Sequence, residues 1–477
     1  MHSSVVVLGG GPGGYAAGFM AADLGLEVTV VEADPRLGGT CLLRGCIPSK
    51  ALLHVAKVIG DARDMSEWGV NYGKTKIDVK AMRARKEKVI DTLTGGLAQL
   101  AKRRKVRIVN ARGIFVDSQT LQLEGGNPDT YDSERITFDH CVLATGSVPA
   151  MPQMFDIGSD RVMDSTGALA LQDIPKKLLI IGGGYIGLEM GTVYAELGTK
   201  VSVVELTEGL LPGADRDLVK PLHKRLEDLY ENIYLGTKVV GLKDSGKKVG
   251  VQMQGPGLQS ASGEETLSYD RVLVSVGRRP VSQGFGLENT NVVVDERGFV
   301  QVDHHQCTAD PHILAIGDVA GDPMLAHKAS HEGKVAAEVL AGEPAAFDKM
   351  AIPAVVFTDP EIAWAGLTAD EAKQAGRDVK IAQYPWQASG RAIAMGKTDG
   401  LTKWLIDPEN DRLLGCGIVG SGAGELIAEA VVAIEMGCTV IDLTESIHPH
   451  PTLSETMAFA GEVHLGTATE VYRPKRK

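Results

Sequence analysis

A glycine-rich segment occurs twice in this chain, and the repeat restricts the possible folds more than any other feature. Residues 9–32 align without a gap with residues 182–205, a shift of 173 positions, and 12 of the 24 aligned residues are identical. An apolar run precedes each copy, an acidic residue ends it, and the apolar residues between have helical spacing. Each copy is therefore predicted to form a strand, a tight turn, a helix and a second strand.

The glycines within each copy have the spacing of a dinucleotide-binding turn. In such a turn the first glycine leaves the strand, the second lets a pyrophosphate approach the backbone, and the third lets the helix pack against the sheet. The free N–H groups of the helix N-terminus bind the phosphates, and a terminal acid accepts hydrogen bonds from a ribose. The residues predicted for these roles are Gly9, Gly11, Gly14 and Glu32 in the first copy and Gly182, Gly184, Gly187 and Glu205 in the second.

Two copies predict two bound dinucleotides, and the flanking residues indicate which they are. The segment Leu206-Thr207-Glu208 offers no cation for the 2′-phosphate of NADP, and Glu205 would repel that phosphate, so NAD is favoured in the second unit. The first unit also ends in an acid, but its motif alone does not separate FAD from NAD. A single motif of this kind could be an ordinary glycine-rich turn, whereas two complete copies favour two Rossmann-like domains.

Two of the six cysteines, Cys41 and Cys46, lie close together in the segment GGTCLLRGCIPSK at residues 38–50. The four residues between them do not suit the usual zinc spacing, and no second cysteine pair is nearby. From spacing alone, two buried thiols or half of a metal site remain alternatives. A disulfide in a cytosolic protein is usually catalytic, and beside a dinucleotide fold it could pass two electrons between a flavin and an external thiol. We therefore favour FAD in the first unit and predict no metal.

The cysteine segment resembles the active site of the FAD-dependent pyridine nucleotide–disulfide oxidoreductases, most closely of the members that oxidise dihydrolipoyl groups. The resemblance covers essentially the whole chain. It implies that Cys41 and Cys46 form the redox-active disulfide, with Cys41 exchanging disulfides with substrate and Cys46 contacting the flavin as a thiolate. It also implies that Lys50 lies near the flavin N5 and pairs with Glu189 on the helix of the second Rossmann unit.

Shorter segments match the same family in the same order along the chain. They imply that Thr145 and Gly146 belong to a turn closing the FAD domain and that Gly277 belongs to a loop leaving the NAD domain. They also imply that the carboxylate of Asp318 holds the ribityl or ribose region of FAD, and that Ala326 and His327 lie in a segment over the flavin pyrimidine edge.

The segment HPHPTLSE at residues 448–455 supplies the expected base. A free thiol has a pKa near 8.5 and needs a base to become a good nucleophile at neutral pH. The resemblance implies that His450 is the acid/base and that Glu455 orients it, while His448 has a supporting role. It further implies a homodimer in which this base comes from the opposite subunit.

The chain departs from the family pattern at three places: Leu43-Arg44 replaces Asn-Val, Ser330-His331 replaces an acidic pair, and Pro449 replaces alanine. Arg44 adds positive charge next to the disulfide, and we expect that it could depress a thiol pKa. None of the departures removes a chemical group that the mechanism requires.

The predicted fold is α/β, with two Rossmann-like dinucleotide-binding domains and a C-terminal α+β dimerisation domain. We expect an FAD domain at 1–150, an NAD domain at 151–280, a central part completing the FAD site at 281–350, and an interface domain at 351–477.

The resemblance implies oxidation of a protein-bound dihydrolipoyl group with NAD⁺ as final acceptor. The implied partners are lipoyl domains of 2-oxoacid dehydrogenase complexes or of the glycine cleavage system. Glutathione-type reductases prefer NADPH, which Glu205 disfavours, and mercuric reductases carry a further C-terminal cysteine pair that residues 463–477 lack. The alternative to an enzyme is a flavin-bearing interaction component with little turnover. The presence of all four predicted catalytic residues argues against it: Cys41, Cys46, His450 and Glu455.

Composition sets broader limits on function. The formal net charge of −12 argues against a general nucleic-acid binder, which would present a basic surface. No apolar run reaches the roughly 18 residues needed to cross a bilayer, so no membrane association is predicted. We expect the protein in the cytoplasm.

Overall fold

Both glycine-rich repeats fold as a strand, a turn, a helix and a strand in the computed structural model, which describes residues 1–258 and 262–472. The first comprises β1 (His2–Leu8), α1 (Pro12–Asp23) and β2 (Val28–Glu32), and the second comprises β9 (Lys177–Ile181), α6 (Tyr185–Glu196) and β10 (Lys200–Val204). The predicted second strand of the first copy is reproduced, whereas that of the second copy ends one residue before Glu205.

The first unit builds a mixed sheet in the order β3-β2-β1-β6-β5-β4, with β17 pairing alongside β6. β1, β2, β3, β6 and β17 run parallel, and a hairpin adds two antiparallel strands. β17 comes from the predicted central part, so that part completes the sheet of the first unit. The further strands are β3 (Arg107–Asn110), β4 (Arg112–Asp117), β5 (Thr120–Glu124), β6 (Arg135–Leu143) and β17 (Ile313–Ala315).

The second unit builds a parallel sheet in the order β11-β10-β9-β15-β8, beside an antiparallel sheet in the order β12-β13-β14. Parallel strands are covered on both faces, which explains the continuous apolar runs in β1 and β9. The strands are β8 (Val162–Met163), β11 (Asn232–Tyr234), β12 (Lys238–Asp244), β13 (Val249–Gln254), β14 (Glu264–Tyr269) and β15 (Arg271–Val274).

A short antiparallel ribbon links the two units, and the C-terminal part has its own antiparallel sheet in the order β18-β19-β22-β21-β20. The ribbon pairs β7 (Ser147–Pro149) with β16 (Arg278–Pro280). The strands of the C-terminal sheet are β18 (Ala354–Val356), β19 (Glu361–Gly366), β20 (Lys380–Pro385), β21 (Leu401–Ile406) and β22 (Leu413–Gly420).

The remaining helices pack on these sheets. They are α2 (Gly39–Arg44), α3 (Cys46–Asp64), α4 (Val79–Arg103), α5 (Ser165–Ala170), α7 (Arg216–Leu229), α8 (Ala326–Leu340), α9 (Ala369–Gln374), α10 (Gly390–Met395), α11 (Ala423–Glu435), α12 (Val440–Thr444) and α13 (Glu455–Leu465). No helix within the described ranges 1–258 and 262–472 combines the length and the apolar character needed to cross a bilayer.

One apolar core fixes the positions of the functional elements relative to one another. It contains Leu52 of α3, Leu188 of α6 and Ile362 of β19, all at most 2% exposed. The helix that begins at Cys46 therefore packs against α6 of the second Rossmann unit and shares one apolar core with the C-terminal sheet.

Candidate active site

A cleft opens where β1, β6 and β17 end, at the carboxyl edge of the first parallel sheet. Open α/β sheets bind ligands at this edge. The cleft encloses about 1250 Å³, including its open mouth. Most of the residues predicted for the flavin half of the site line it: Gly9, Gly11, Glu32, Cys41, Cys46, Lys50, Thr145, Gly146, Glu189, Asp318 and Ala326.

The glycine turn of the first unit has the geometry that its sequence predicts. Gly9 has a φ of +111°, and a Cβ there would lie 2.3 Å from the carbonyl oxygen of Ala144. A Cβ at Gly14 would lie 1.8 Å from the carbonyl oxygen of Gly9, so the helix crosses the strand end at a distance that only glycine permits. A Cβ at Gly11, in contrast, would only reach van der Waals contact with the Cα of Gly39, at 3.8 Å, and Gly11 itself lines the cleft.

The second unit repeats this arrangement. A Cβ at Gly182 would lie 2.5 Å from the carbonyl oxygen of Ser275, and one at Gly187 would lie 2.4 Å from that of Gly182. A Cβ at Gly184 would meet no atom within 4 Å. In each unit the middle glycine thus lies beside a helix N-terminus with no severe steric contact at its Cβ position, and both turns fit the pyrophosphate of a dinucleotide.

The terminal acids bind the turn itself, which the sequence analysis did not foresee. Glu32 accepts hydrogen bonds from the backbone N–H groups of Gly10 (2.6 Å) and Asp34 (2.7 Å). Glu205 accepts the equivalent bonds from Gly183 (2.7 Å) and Thr207 (2.8 Å). The hydroxyl of Thr207 also donates at 2.9 Å to the Glu205 oxygen that accepts the Thr207 N–H, so in Glu205 the oxygen bonded to Gly183 is the one that can still accept a ribose hydroxyl. In Glu32 either oxygen can accept a second bond. Burial raises the pKa of Glu32, and the Gly10 N–H and the charge of Arg44 oppose that rise.

Cys41 and Cys46 form a disulfide, and both line the cleft. Cys41 lies within α2, whereas Cys46 is the first residue of α3, with Gly45 between the two helices. The Cα atoms are 4.8 Å apart. The predicted disulfide is therefore present, and one of its two sulfurs belongs to a residue at a helix N-terminus.

The predicted pair of Lys50 and Glu189 is also present, and it has two further partners. Lys50 Nζ lies 2.9 Å and 3.1 Å from the carboxylate oxygens of Glu189, which is only 3% exposed. The hydroxyl of Ser49 donates to the same carboxylate at 2.9 Å, and the backbone N–H of Phe357 donates at 3.1 Å. Lys50 Nζ also lies 4.3 Å from the centre of the Phe357 ring. Ser49 lies within the cysteine segment at residues 38–50, but no local pattern marks Phe357.

Asp318 lies in the cleft and is held by residues that the sequence analysis did not single out. The hydroxyl of Ser147 donates to its carboxylate. Arg278 in turn donates from Nε to the Ser147 hydroxyl at 2.8 Å and from a terminal nitrogen to the Ser147 carbonyl at 2.7 Å. The β7–β16 ribbon brings these two residues together, so a signal for them would have required the pairing of segments about 130 residues apart.

His450 and Glu455, predicted to be the acid/base and its orienting carboxylate, are in hydrogen-bond contact. His450 Nδ1 lies 2.8 Å from one carboxylate oxygen of Glu455, and the backbone N–H of Thr452 donates to the other at 2.8 Å. The His450 side chain is 79% exposed and does not line the cleft of its own chain. His448 makes a separate pair with Glu429 at 2.7 Å.

Besides the second glycine turn with Glu205 and the His450–Glu455 pair, three further predicted residues lie outside the lining of the cleft. Gly14 is behind the turn, Gly277 lies in the loop that leads into β16, and His327 is bonded through Nε2 to the carbonyl oxygen of Pro353 at 2.7 Å. Burial lowers the pKa of His327. Across residues 1–258 and 262–472, no three His, Cys, Asp or Glu side chains are grouped so that they could hold a metal ion.

Comparison with known proteins decides the family. The sequence profile described as "Pyridine nucleotide-disulphide oxidoreductase" matches residues 3–333, and that of its dimerisation domain matches residues 352–460. This chain belongs to the pyridine nucleotide-disulphide oxidoreductase family. Membership confirms the predicted α/β fold with its dimerisation domain, the disulfide oxidoreductase class, and the use of FAD and NAD. The domain boundaries and the roles of individual residues stay predictions.

Several full-length relatives of the chain within this family are named dihydrolipoyl dehydrogenase. This chain is 47% identical to the dihydrolipoyl dehydrogenase of Vibrio cholerae over 100% of this chain and 98% of the relative. It is 45% identical to that of Thermus scotoductus over 96% of each. Among solved structures, it resembles LpdA from Mycobacterium tuberculosis with a TM-score of 0.87 and 25% identity, covering 96% of this chain and 98% of the other.

A second similar structure is the HOCl-induced flavoprotein disulfide reductase RclA from Escherichia coli. The TM-score is 0.83 at 26% identity, covering 95% of this chain and 98% of that one.

Proposed function

We propose that this enzyme oxidises protein-bound dihydrolipoyl groups to lipoyl groups, with NAD⁺ as the final acceptor. The observation that carries the proposal is the Cys41–Cys46 disulfide in the cleft of the first Rossmann unit. Lys50 of α3, which we call the redox helix, and Glu189 of the second unit line the same cleft. The full-length relatives named dihydrolipoyl dehydrogenase support the choice of substrate.

The two cysteines have different surroundings, and these support a division of roles. A substrate thiolate attacks Cys41, the disulfide breaks, and the electron pair of the broken bond remains on Cys46 as a thiolate. Cys46 begins α3, whose positive dipole end stabilises a thiolate at that position, and Lys50 follows one turn later. Bound FAD supplies the two-electron carrier between this dithiol and NAD⁺.

The residues of the two turns and the cleft fit both nucleotides. Gly11 and Glu32 would hold the pyrophosphate and ribose of FAD, with Asp318 near its ribityl chain. Gly184 and Glu205 would hold NAD, and the buried carboxylate of Glu205 disfavours a 2′-phosphate at the same place.

His450 supplies the base in this proposal. Glu455 fixes the imidazole through Nδ1, which leaves Nε2 to take the proton of a substrate thiol. Since the His450 side chain is exposed and lies outside the cleft of its own chain, we place it at the disulfide of a second subunit in a homodimer. Reduced lipoyl domains of 2-oxoacid dehydrogenase complexes or of the glycine cleavage system are the proposed partners, in the cytoplasm.

A comparison of substrates tests the proposal. Purified enzyme should reduce NAD⁺ with dihydrolipoamide much faster than it reduces glutathione disulfide with NADPH. A preference for glutathione disulfide and NADPH would instead assign the chain to the glutathione-type reductases, and the absence of both activities in FAD-loaded protein would contradict an enzymatic role.

A further inference from the structure

Arg44 makes a contact that the sequence analysis did not foresee. The residue lies between the two redox cysteines, and its guanidinium forms an ion pair with Asp34, two residues beyond Glu32. Both side chains line the cleft, and each is about one-third exposed. The charge expected beside the disulfide is thus paired with a carboxylate from the end of the first Rossmann unit.

Asp34 is held rigidly on its own side of this contact. Its backbone N–H donates to Glu32 at 2.7 Å, and its carbonyl oxygen accepts a bond from the side-chain amide of Asn110 at 2.8 Å. The adjacent strands β2 and β3 therefore provide a fixed anchor for Arg44.

The other end of α2 also touches the first Rossmann turn. A Cβ at Gly39 would lie 2.6 Å from the Cα of Gly11, so the backbone of α2 begins directly against the glycine that is predicted to face the pyrophosphate. Helix α2 is thus fastened at its start by a backbone contact and at its end by the Arg44–Asp34 ion pair. The cleft between these two attachments lies beside Gly11 and Glu32.

We propose that Arg44 and Asp34 form a clasp over the nucleotide half of FAD, in which Arg44 is a positioning residue that holds α2 closed and slows the release of FAD. The inference rests on the proposed function only in placing FAD in this cleft. The clasp differs from the role expected for Arg44 from sequence, because pairing with Asp34 neutralises the charge that would otherwise act on the cysteines.

A double-mutant cycle on FAD release tests the clasp. The variants Arg44→Val, Asp34→Asn and the double variant are purified with FAD bound, and dissociation is followed by the rise in free FAD fluorescence. Each single variant should release FAD about fivefold faster, in the range of a partly exposed ion pair. The double variant should be no faster than either single one, because the three variants lack the same interaction.

Arg36→Val is the matched control. Arg36 lies on the same segment as Asp34 and forms a similar pair with Asp91, 2.5 Å away, but neither residue lines the cleft. The Arg36→Val variant should release FAD at the same rate as the wild type. Arg44→Lys, which keeps the charge, should lie between wild type and Arg44→Val and provides a test if Arg44→Val does not fold.

Additive effects of the single variants, or unchanged FAD release in all of them, would overturn the clasp. The clasp would also be overturned if reduced Arg44→Val showed a changed pH dependence of thiol alkylation without faster FAD release. That result would mean that Arg44 acts directly on the cysteines. Dihydrolipoamide–NAD⁺ turnover of the wild type is measured separately. If the wild type is inactive in that assay but the variants release FAD as expected, the proposed function is overturned and the clasp is still supported.

Discussion

The carboxylate of Glu189 accepts hydrogen bonds from Lys50 at 2.9 Å and 3.1 Å while it is 97% shielded from solvent. Because Ser49 and the backbone of Phe357 donate to the same carboxylate, one buried group joins the redox helix, the second Rossmann unit and the start of the C-terminal sheet. The position of Lys50 in the cleft therefore depends on three parts of the fold.

Glu189→Gln should lower turnover and reduce the free energy of unfolding by about 1–3 kcal/mol, because the buried partner of Lys50 loses its charge. Glu196→Gln is the control, since Glu196 lies on the same helix and pairs with Arg63 of α3 at 2.8 Å, away from the cleft. The control should lose stability and keep its turnover. Steady-state assays and denaturant melts measure both quantities, and equal loss of turnover in the two variants would contradict a role for Glu189 at the site.

Cys41→Ser should leave Cys46 as a free thiolate and show a long-wavelength absorbance band in the oxidised, FAD-loaded protein without any reductant. Cys46→Ser should lose this band, and both variants should lose dihydrolipoamide turnover. Cys307→Ser, at a free and partly buried cysteine, should behave as the wild type. A band in Cys46→Ser instead of Cys41→Ser would reverse the two roles.

His450→Gln should lower dihydrolipoamide oxidation by roughly 10²–10⁴-fold, the usual contribution of a general base. NADH-driven reduction of artificial acceptors, which bypasses the disulfide, should continue.

Hybrid dimers show which subunit supplies the base. A dimer of one Cys41→Ser subunit and one His450→Gln subunit should regain about half of the wild-type activity if the base acts across the interface, because one disulfide then meets one intact histidine. If each subunit uses its own histidine, the hybrid should remain inactive.

Glu205→Arg should weaken the use of NAD⁺ and improve the use of NADP⁺, because it exchanges a repelling charge for an attracting one beside the 2′-position. The change also removes the acceptor for Gly183 and Thr207, so the variant should melt at a lower temperature. Asp228→Arg, at an exposed position of α7 away from the turn, should leave the nucleotide preference unchanged. Equal use of both nucleotides by the wild type would show that Glu205 does not discriminate between them.

Asp215 should make the enzyme sensitive to acid. Burial raises the pKa of this carboxyl, but Lys403 at 2.6 Å and the N–H groups of Ala369 and Asp370 outweigh burial and leave the pKa below its usual value. A carboxyl with a depressed folded-state pKa stabilises the protein above its unfolded pKa of about 4, and this contribution is lost as the pH falls through the folded value. The wild type should lose stability over that range.

Asp215→Asn should be less stable at neutral pH by about 3 kcal/mol, because Lys403 would remain buried with its charge poorly paired, and should show a weaker acid dependence. Asp217→Asn, at the more exposed partner of Lys403, should have a smaller effect. Denaturant melts from neutral pH to pH 3 measure both variants, and an unchanged acid dependence in Asp215→Asn would contradict this account.

The sequence predicted the local parts of the site well. Strand β2 and the sharp turn at Gly9 follow from apolar spacing and glycine geometry within 24 residues, and the Cys41–Cys46 disulfide follows from the family motif. These features depend on residues that are near one another in the chain.

Other parts of the site depend on contacts between distant segments. Arg278 reaches Ser147 through the β7–β16 ribbon, and Phe357 reaches Glu189 through a bend before β19. No local periodicity encodes such pairings. The expectation for Arg44 missed the same kind of information, since its position beside the cysteines was visible in the sequence but its partner Asp34 was not.

The two glycine turns are closed by their own acids in the same way, at Glu32 and at Glu205. The two units diverge immediately afterwards, because residues 33–45 lead into a short helix that carries Cys41, whereas residues 206–214 form a loop with no helix. Two similar glycine turns are thus followed by different stretches of chain, and of these two stretches the first carries Cys41. Exchanging those two stretches, with both turns left intact, would be the most direct way to engineer one unit toward the work of the other.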